Sequence, residues 1–333
     1  MKVVSINNLS KDFNGLKAVD NISFSVEEGD VFGFLGPNGA GKTTTISMLV
    51  TLLKPTSGDA FVNGFNINTE KDGVRKSIGI VFQDPSLDEE LTAYQNMDFH
   101  GRLYKIPKEV RERRVLELLK LVELDNRKND LVKTFSGGMR RRLEIARGLL
   151  HEPKVLFLDE PTLGLDPQTR NHIWEYIQKL NERKKTTIIL TTHYMDEADR
   201  LCNRVAIIDH GRIIAVNTPQ HLKESIGGDV ITIRTHDGSR LLTIVENAKW
   251  VTGAKEHDGH VTLNVKDAEE DVAKLITLLG DKKIRIMSVT INKPTLEDVF
   301  LHYTGNTIRE EEMTGTDAVH MRYHMWQSIN RNK

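Results

Sequence analysis

Residues 36–44 read Gly-Pro-Asn-Gly-Ala-Gly-Lys-Thr-Thr, and no other stretch restricts the architecture of the chain as much. Gly36 and Gly41 bracket Pro37, Asn38, Gly39 and Ala40, so backbone N–H groups can close around phosphate oxygens without interference from Cβ atoms. In such a loop Lys42 reaches the β- and γ-phosphates of a nucleotide, Thr43 ligates Mg²⁺, and Thr44 carries the chain into a helix. The neighbours agree with that placement. Residues 31–35, VFGFL, read as an apolar strand, and residues 42–53, KTTTISMLVTLL, as a helix that stops at Pro55 and Gly58. A loop joining a strand end to a helix start is where free N–H groups and the helix dipole hold an anion. A glycine-rich turn without a ligand is the competing reading.

At 333 residues, with 38% hydrophobic and 28% charged residues, the chain has the size and balance of one large or two modest globular domains. No apolar run approaches the roughly 18–20 residues a spanning helix needs. The N-terminus, MKVVSINNLSKDF, lacks the zones of a secretory signal, which points to the cytoplasm. A single cysteine, Cys202, excludes an intrachain disulfide. With 46 basic against 47 acidic residues there is no overall pull toward nucleic acid. The basic run Arg140, Arg141 and Arg142 reads as a solvated helix face.

Residues 1–225 alternate strand-like and helical segments, the order of an α/β domain with a mixed sheet and the phosphate loop at its carboxyl edge. Within it, residues of about 84–150 form a helical subdomain; EVRERRVLELLKLVELD carries apolar residues at helical spacing amid charges. Strands resume at VLFLD, TTIILTT and RVAIID, with TRNHIWEYIQKLNERK as a helix and YMDEAD as an acidic turn. Gly227 and Gly228 punctuate a boundary before a small α+β domain over residues 229–304. There VITIR, RLLTIV and VTLNV read as strands, DVAKLITLLG as an amphipathic helix. Residues 305–333 are polar and irregular, so His320 and His324 read as part of a frayed tail in preference to a metal site.

A second anion site is written into FSGGMRRRLEIARGLL. Ser136, Gly137 and Gly138 precede a helix whose Leu143, Ala146, Leu149 and Leu150 share a face. Such an entry is either an N-cap with its turn or an anion cradle; beside a separate phosphate loop, the cradle reading has a γ-phosphate gripped from opposite sides. VLFLDEPTLGLD is a buried-type strand that releases Asp159 and Glu160 at its end. Asp159 suits a direct or water-mediated hold on Mg²⁺, and Glu160 the orientation and deprotonation of an attacking water. His193 ends TTIILTTH, where it either hydrogen-bonds a γ-phosphate or serves the structure. Gln83 closes IGIVFQ with an amide oxygen able to bind Mg²⁺ or water.

These pieces, in this order, resemble the P-loop ATP-binding cassette of ABC transporters over residues 1–225. The resemblance makes GPNGAGKTT a Walker A loop, Gln83 a Q-loop glutamine, FSGGM a signature, VLFLDE a Walker B strand, LGLD with Asp166 a D-loop, and His193 a switch histidine. It also places Phe13 where the family stacks an aromatic ring on adenine, the alternative being a core phenylalanine. The signature departs from the familiar LSGGQ at Phe135 and Met139, while Ser136 and both glycines are kept. More narrowly, SLDEELTAYQNM, FSGGMRRRLEIARGLL and PTLEDVFLHYTG are similar to ATP-binding subunits of daunorubicin-resistance-type multidrug exporters.

What the resemblance implies is an ATPase using ATP and Mg²⁺, with each ATP held between the loop of one subunit and the signature of another. A homodimer, or a heterodimer with a related chain, follows. So does a separate membrane permease docked on the helical insert at the cytoplasmic face, through which drugs or other hydrophobic compounds leave. A soluble ABC ATPase acting on nucleic acid or ribosomes would carry a long coiled-coil insertion, two cassettes or a basic surface. A nucleotide-gated scaffold without useful hydrolysis is the third class, and Glu160 argues against it.

Overall fold

The computed structural model describes residues 1–245, 248–257, 260–282 and 284–304. The tail expected over residues 305–333, with His320 and His324, lies outside these. Two compact units emerge, one spanning Met1–Val216 and a second beginning at Asn217.

In the first unit, β1 (Lys2–Phe13) and β2 (Leu16–Glu27) form an antiparallel hairpin. Asn14 and Gly15 turn it, both with positive φ, the pairing a tight two-residue hairpin requires. Next come β3 (Val31–Leu35), α1 (Lys42–Leu49), β4 (Ser57–Val62), β5 (Phe65–Asn66), α2 (Lys71–Ser77) and β6 (Ile78–Val81). Three helices follow: α3 (Ala93–Leu103), α4 (Lys108–Leu121) and α5 (Gly137–Gly148). The chain returns through β7 (Val155–Asp159), α6 (Pro167–Lys184), β8 (Thr187–Thr192), α7 (Met195–Leu201), β9 (Arg204–Asp209) and β10 (Arg212–Asn217).

One sheet has the order β2-β1-β4-β5, the other β10-β9-β3-β8-β7-β6. In the larger sheet β3 runs parallel to β8 and β9, and β7 parallel to β8 and β6. The two-residue link between β9 and β10 permits only an antiparallel pairing, so the sheet is mixed. Every residue of β3, β7 and β8 is buried, as befits parallel strands covered on both faces. Register then positions the chemistry. Leu35 pairs with Thr192, and Asp159 with Thr191, so Gly36, Glu160 and His193 all leave the sheet at one carboxyl edge.

The second unit contains α8 (Pro219–Glu224), β11 (Asp229–Thr235), α9 (Gly238–Val245), β12 (Val251–His257), β13 (His260–Val265), α10 (Ala268–Asp281), β14 (Ile286–Asn292) and α11 (Leu296–Thr304). From β11 to β14 the order is β-α-β-β-α-β, folded as an antiparallel sheet β12-β13-β11-β14, the split β-α-β arrangement. Ile231, Ile233, Val261 and Leu263 alternate into a core closed by Leu241 and Val245 of α9 and Leu275 and Leu279 of α10.

Four expectations of secondary structure need correction. The helix after the phosphate loop ends at Leu49 and not at residue 53: Thr51 takes a left-handed φ of 65°, and the N–H groups of Leu52 and Leu53 fold back onto the Ser47 carbonyl. YMDEAD is not a turn, because Ala198 and Leu201 bury one side of helix α7. RLLTIV is not a strand; Leu241 and Val245, four apart, face the core of the second unit from a helix. IGIVFQ is strand only to Val81, which puts Gln83 two residues beyond it.

Phe157 lies wholly buried in β7 within the first unit's core. Phe157→Ala is expected to cost about 3–5 kcal/mol, read as a lowered denaturation midpoint. A loss below about 1 kcal/mol would mean the sheet closes over the cavity without difficulty.

Candidate functional site

The loop at 36–44 is shaped by its glycines. A Cβ on Gly36 would stand 2.2 Å from the Ile208 carbonyl oxygen, and Gly41 combines a φ of 101° with an equally close Ala18 carbonyl at 2.4 Å. Helix α1 starts at Gly41 without a side-chain cap, so its first N–H groups keep their capacity for an anion. Ala40, Lys42 and Thr44 are buried, Pro37 and Thr43 half-buried, and Asn38 and Gly39 exposed.

Lys42 is the centre of the arrangement. Only 4% exposed, its Nζ donates to the carbonyls of Gly36 at 2.7 Å and Pro37 at 3.1 Å, and sits 3.3 Å from Oε1 of Glu160. The other Glu160 oxygen lies 3.1 Å from Nδ1 of His193. Burial pushes the Glu160 carboxyl up, but the His193 hydrogen bond and the Lys42 charge outweigh it and hold the group below its ordinary value. Burial likewise pulls Lys42 down, opposed by the Glu160 charge. Glu160 itself adopts a left-handed φ of 46°, which turns its side chain away from the strand direction.

Asp159, 1% exposed, is the companion group. Its Oδ1 accepts from Thr43 Oγ1 at 3.1 Å and from Thr191 Oγ1 at 2.5 Å, and Thr191 Oγ1 also accepts from the Glu160 N–H at 3.0 Å. One hydroxyl on β8 therefore braces both acidic positions. Burial nonetheless pushes the Asp159 carboxyl above its usual value, against the pull of those two hydroxyls.

The remaining predicted residues stand apart. Ser136 caps α5, accepting from the Met139 N–H at 3.3 Å; Ser136 and Gly137 are exposed, while Gly138 packs so closely on Thr169 that a Cβ there would meet its methyl at 2.3 Å. Exposed Asp166 caps α6, taking the Thr169 N–H at 3.0 Å and hydroxyl at 2.6 Å. Among the described residues, no hydrogen bond or ion pair joins Ser136, Gly137 or Asp166 to the loop at 36–44. Gln83 is exposed. Phe13 is half-buried against the core, with Lys11 Nζ 5.0 Å from its ring centre.

Sequence reasoning passed over Thr191 and misread the arginine run. Arg141 is 7% exposed and not part of a solvated face. Its position is a buried one because α5 turns Gly138, Arg141 and Ile145 inward, a spacing visible in the sequence but masked by charge.

A phosphate loop opposed by a Walker-type acidic pair, on a mixed sheet with a helical insertion, defines an ATP-binding cassette ATPase. Residues 19–163 match the family described as ABC transporter, and residues 218–304 the family described as ATP-binding protein DrrA1-3-like, C-terminal domain. The chain is 39% identical over 307 residues to the linearmycin resistance ATP-binding protein LnrL of Bacillus subtilis (strain 168), covering 91% of this chain and 98% of that one. It is 39% identical over 308 residues to the daunorubicin/doxorubicin resistance ATP-binding protein DrrA of Streptomyces peucetius, covering 92% and 93%. The solved dimer of the ATP-binding cassette MJ0796 in a post-hydrolysis state, bound to ADP and Pi, superposes with a TM-score of 0.58 at 30% identity, covering 65% of this chain and 98% of the other. The chain belongs to the ABC transporter ATP-binding proteins and carries the DrrA-type C-terminal domain. It is the ATP-binding, ATP-hydrolysing subunit of a transporter, in a family whose cassettes pair as dimers. No described helix is long and apolar enough to cross a membrane.

Because the folded state raises the Asp159 pKa, the stabilising state of this group is the protonated one, and that contribution is lost as pH rises through the folded value. Once ionised in the folded state, the carboxylate opposes folding. Asp159→Asn keeps an acceptor for Thr43 and Thr191 and is expected to raise the thermal midpoint without nucleotide; a clear fall in scanning calorimetry would contradict the assignment.

Proposed function

We propose that this subunit drives export of drug-like hydrophobic compounds through a separate membrane permease, with two cassettes clasping ATP between residues 36–44 of one and residues 136–138 of the other. The observation that carries the clasp is the division of the site. Lys42, Thr43, Asp159, Glu160 and His193 form one bonded network, and Ser136, Gly137 and Asp166 stand outside it. The second copy is either identical or a related chain.

In this reading Lys42 and the amides of residues 36–44 bind the phosphates, Phe13 stacks on adenine, Ser136, Gly137 and Gly138 meet the γ-phosphate of the facing site, and Asp166 lines the junction. Glu160 orients and deprotonates the attacking water, and His193 steadies Glu160 and the γ-phosphate. Thr43 and Asp159, oxygen donors 3.1 Å apart, suit a hard divalent cation. Mg²⁺ held there, with Gln83 as a further oxygen donor, would neutralise charge on the phosphates.

Export rests on the names of LnrL and DrrA, both resistance proteins. Docking at the cytoplasmic face of a membrane permease is supported by exposed apolar side chains on the helical insert: Phe99 and Leu103 on α3, Tyr104 beside them, and Leu116 on α4. Nothing in the charge balance favours a nucleic-acid substrate.

Glu160→Gln is expected to keep ATP affinity within about threefold, slow steady-state hydrolysis by about 10²–10⁴ and accumulate ATP-bound dimers in gel filtration. Undiminished phosphate release would remove Glu160 from its role. Lys42→Ala is expected to weaken binding of a fluorescent ATP analogue by about tenfold or more, since a charge-assisted contact is lost; unchanged affinity contradicts it. Co-purification of the chain with a multispanning protein from membranes tests the partnership, and recovery of the whole pool free of membranes would count against it.

A further inference from the structure

We propose that Arg141 is a positioning residue for hydrolysis: its guanidinium holds the backbone turn that aims Glu160 and ties that turn to the segment bearing Gln83. The inference rests on the role given to Glu160 above and adds a residue outside that role.

A guanidinium offers five N–H groups. Arg141 uses all five. Nε donates to the Pro161 carbonyl at 2.8 Å; Nη1 to the Phe82 carbonyl at 2.5 Å and Glu144 Oε2 at 3.1 Å; Nη2 to the carbonyls of Asp159 at 2.9 Å and Glu160 at 3.0 Å. Successive carbonyls of a strand point in opposite directions, so residues 159, 160 and 161 can converge on one cation only where the strand has ended in a turn. The left-handed φ of Glu160 is that turn. A non-glycine residue there is held by its surroundings, since the conformation is intrinsically unfavourable.

The clamp is itself anchored. Glu144, 3% exposed, pairs with Arg141 and takes the Ser86 N–H at 2.8 Å through its other oxygen. Phe82 and Ser86 flank Gln83 in sequence, so α5, the helix that opens with the signature, grips both the acidic turn and the Gln83 segment from one pair of buried side chains. Lysine cannot replace this fork, having three donors on a single atom.

The test uses the full chain assembled with its permease, comparing Arg141→Lys, Glu160→Gln and the double variant for ATP affinity, kcat, KM and thermal midpoint. Arg141→Lys is expected to lower kcat by about 10–100-fold with KM within about threefold, as misplacing a catalytic group costs rate and not binding. In the Glu160→Gln background the same change should have almost no further effect on residual turnover. Unchanged kcat in Arg141→Lys, or full multiplication of the two losses, overturns the proposal. If Glu160→Gln alone hydrolyses normally, the reading of Glu160 falls and this inference with it; a dead Glu160→Gln beside an active Arg141→Lys sinks this inference only. Should Arg141→Lys unfold, Arg141→Gln/Glu144→Gln leaves no buried charge unpaired, and it should fold and bind ATP yet show the same loss of kcat. Normal kcat in that variant is equally fatal.

Discussion

The contact between Lys42 and Glu160 joins the phosphate loop to the acidic turn, and it exists only because β3, β7 and β8 end level with one another. Two side chains from residues more than a hundred positions apart meet at 3.3 Å with 4% and 8% exposure. Taking both charges out of water is costly, and their attraction alone seldom returns a net gain over apolar packing. What makes the pair tolerable is that neither partner is left short of hydrogen bonds. Lys42 has two loop carbonyls and Glu160 has His193, so the charges are fixed in place for chemistry with no large contribution to stability required of them.

The parallel sheet supplies the precision. A slip of one residue in β3 would displace the phosphate loop, and one in β7 or β8 would shift Asp159, Glu160 or His193 to the opposite face, because side chains alternate along a strand. Burial of every residue in β3, β7 and β8 makes such a slip prohibitive. Thr191 adds a local brace, its hydroxyl bridging the Asp159 carboxylate and the Glu160 N–H. The second unit follows a looser rule, with one sheet face packed on α9 and α10 and the alternate residues, such as Thr232, Arg234 and Thr262, turned out of the core.

The phosphate loop and the acidic strand end were legible because their chemistry is local: glycines where a Cβ would strike a carbonyl, a lysine and hydroxyl at fixed offsets, carboxylates after an apolar run. The α/β class was equally readable from its alternation. Where the reading went astray, the deciding contact was distant in sequence. RLLTIV satisfies a strand or a helix over six residues, and only packing against β12 and β13 selects the helix. YMDEAD is charged enough to pass for a turn, yet Glu197 is buried because Thr162 and Trp174 both donate to it. Arg141 sat within a basic run, and the carbonyls that bury it come from residues about 20 and 60 positions away. Thr191 looked like strand filler until β7 lay beside it.

The Lys42 arrangement links nucleotide loading to the charge around Glu160. An ammonium has three hydrogens, and Lys42 already spends its contacts on Gly36, Pro37 and Glu160. A phosphate entering the loop must take Lys42 in competition with Glu160. Among the causes holding the Glu160 carboxyl low, the Lys42 charge stands beside the His193 hydrogen bond. When the ammonium turns to phosphate, that cause weakens, leaving the His193 hydrogen bond as the contact that holds the carboxyl low. Because Arg141 holds the backbone turn at Glu160 through the carbonyls of residues 159–161, the exchange alters the charge around that carboxylate while the turn that carries it stays tied.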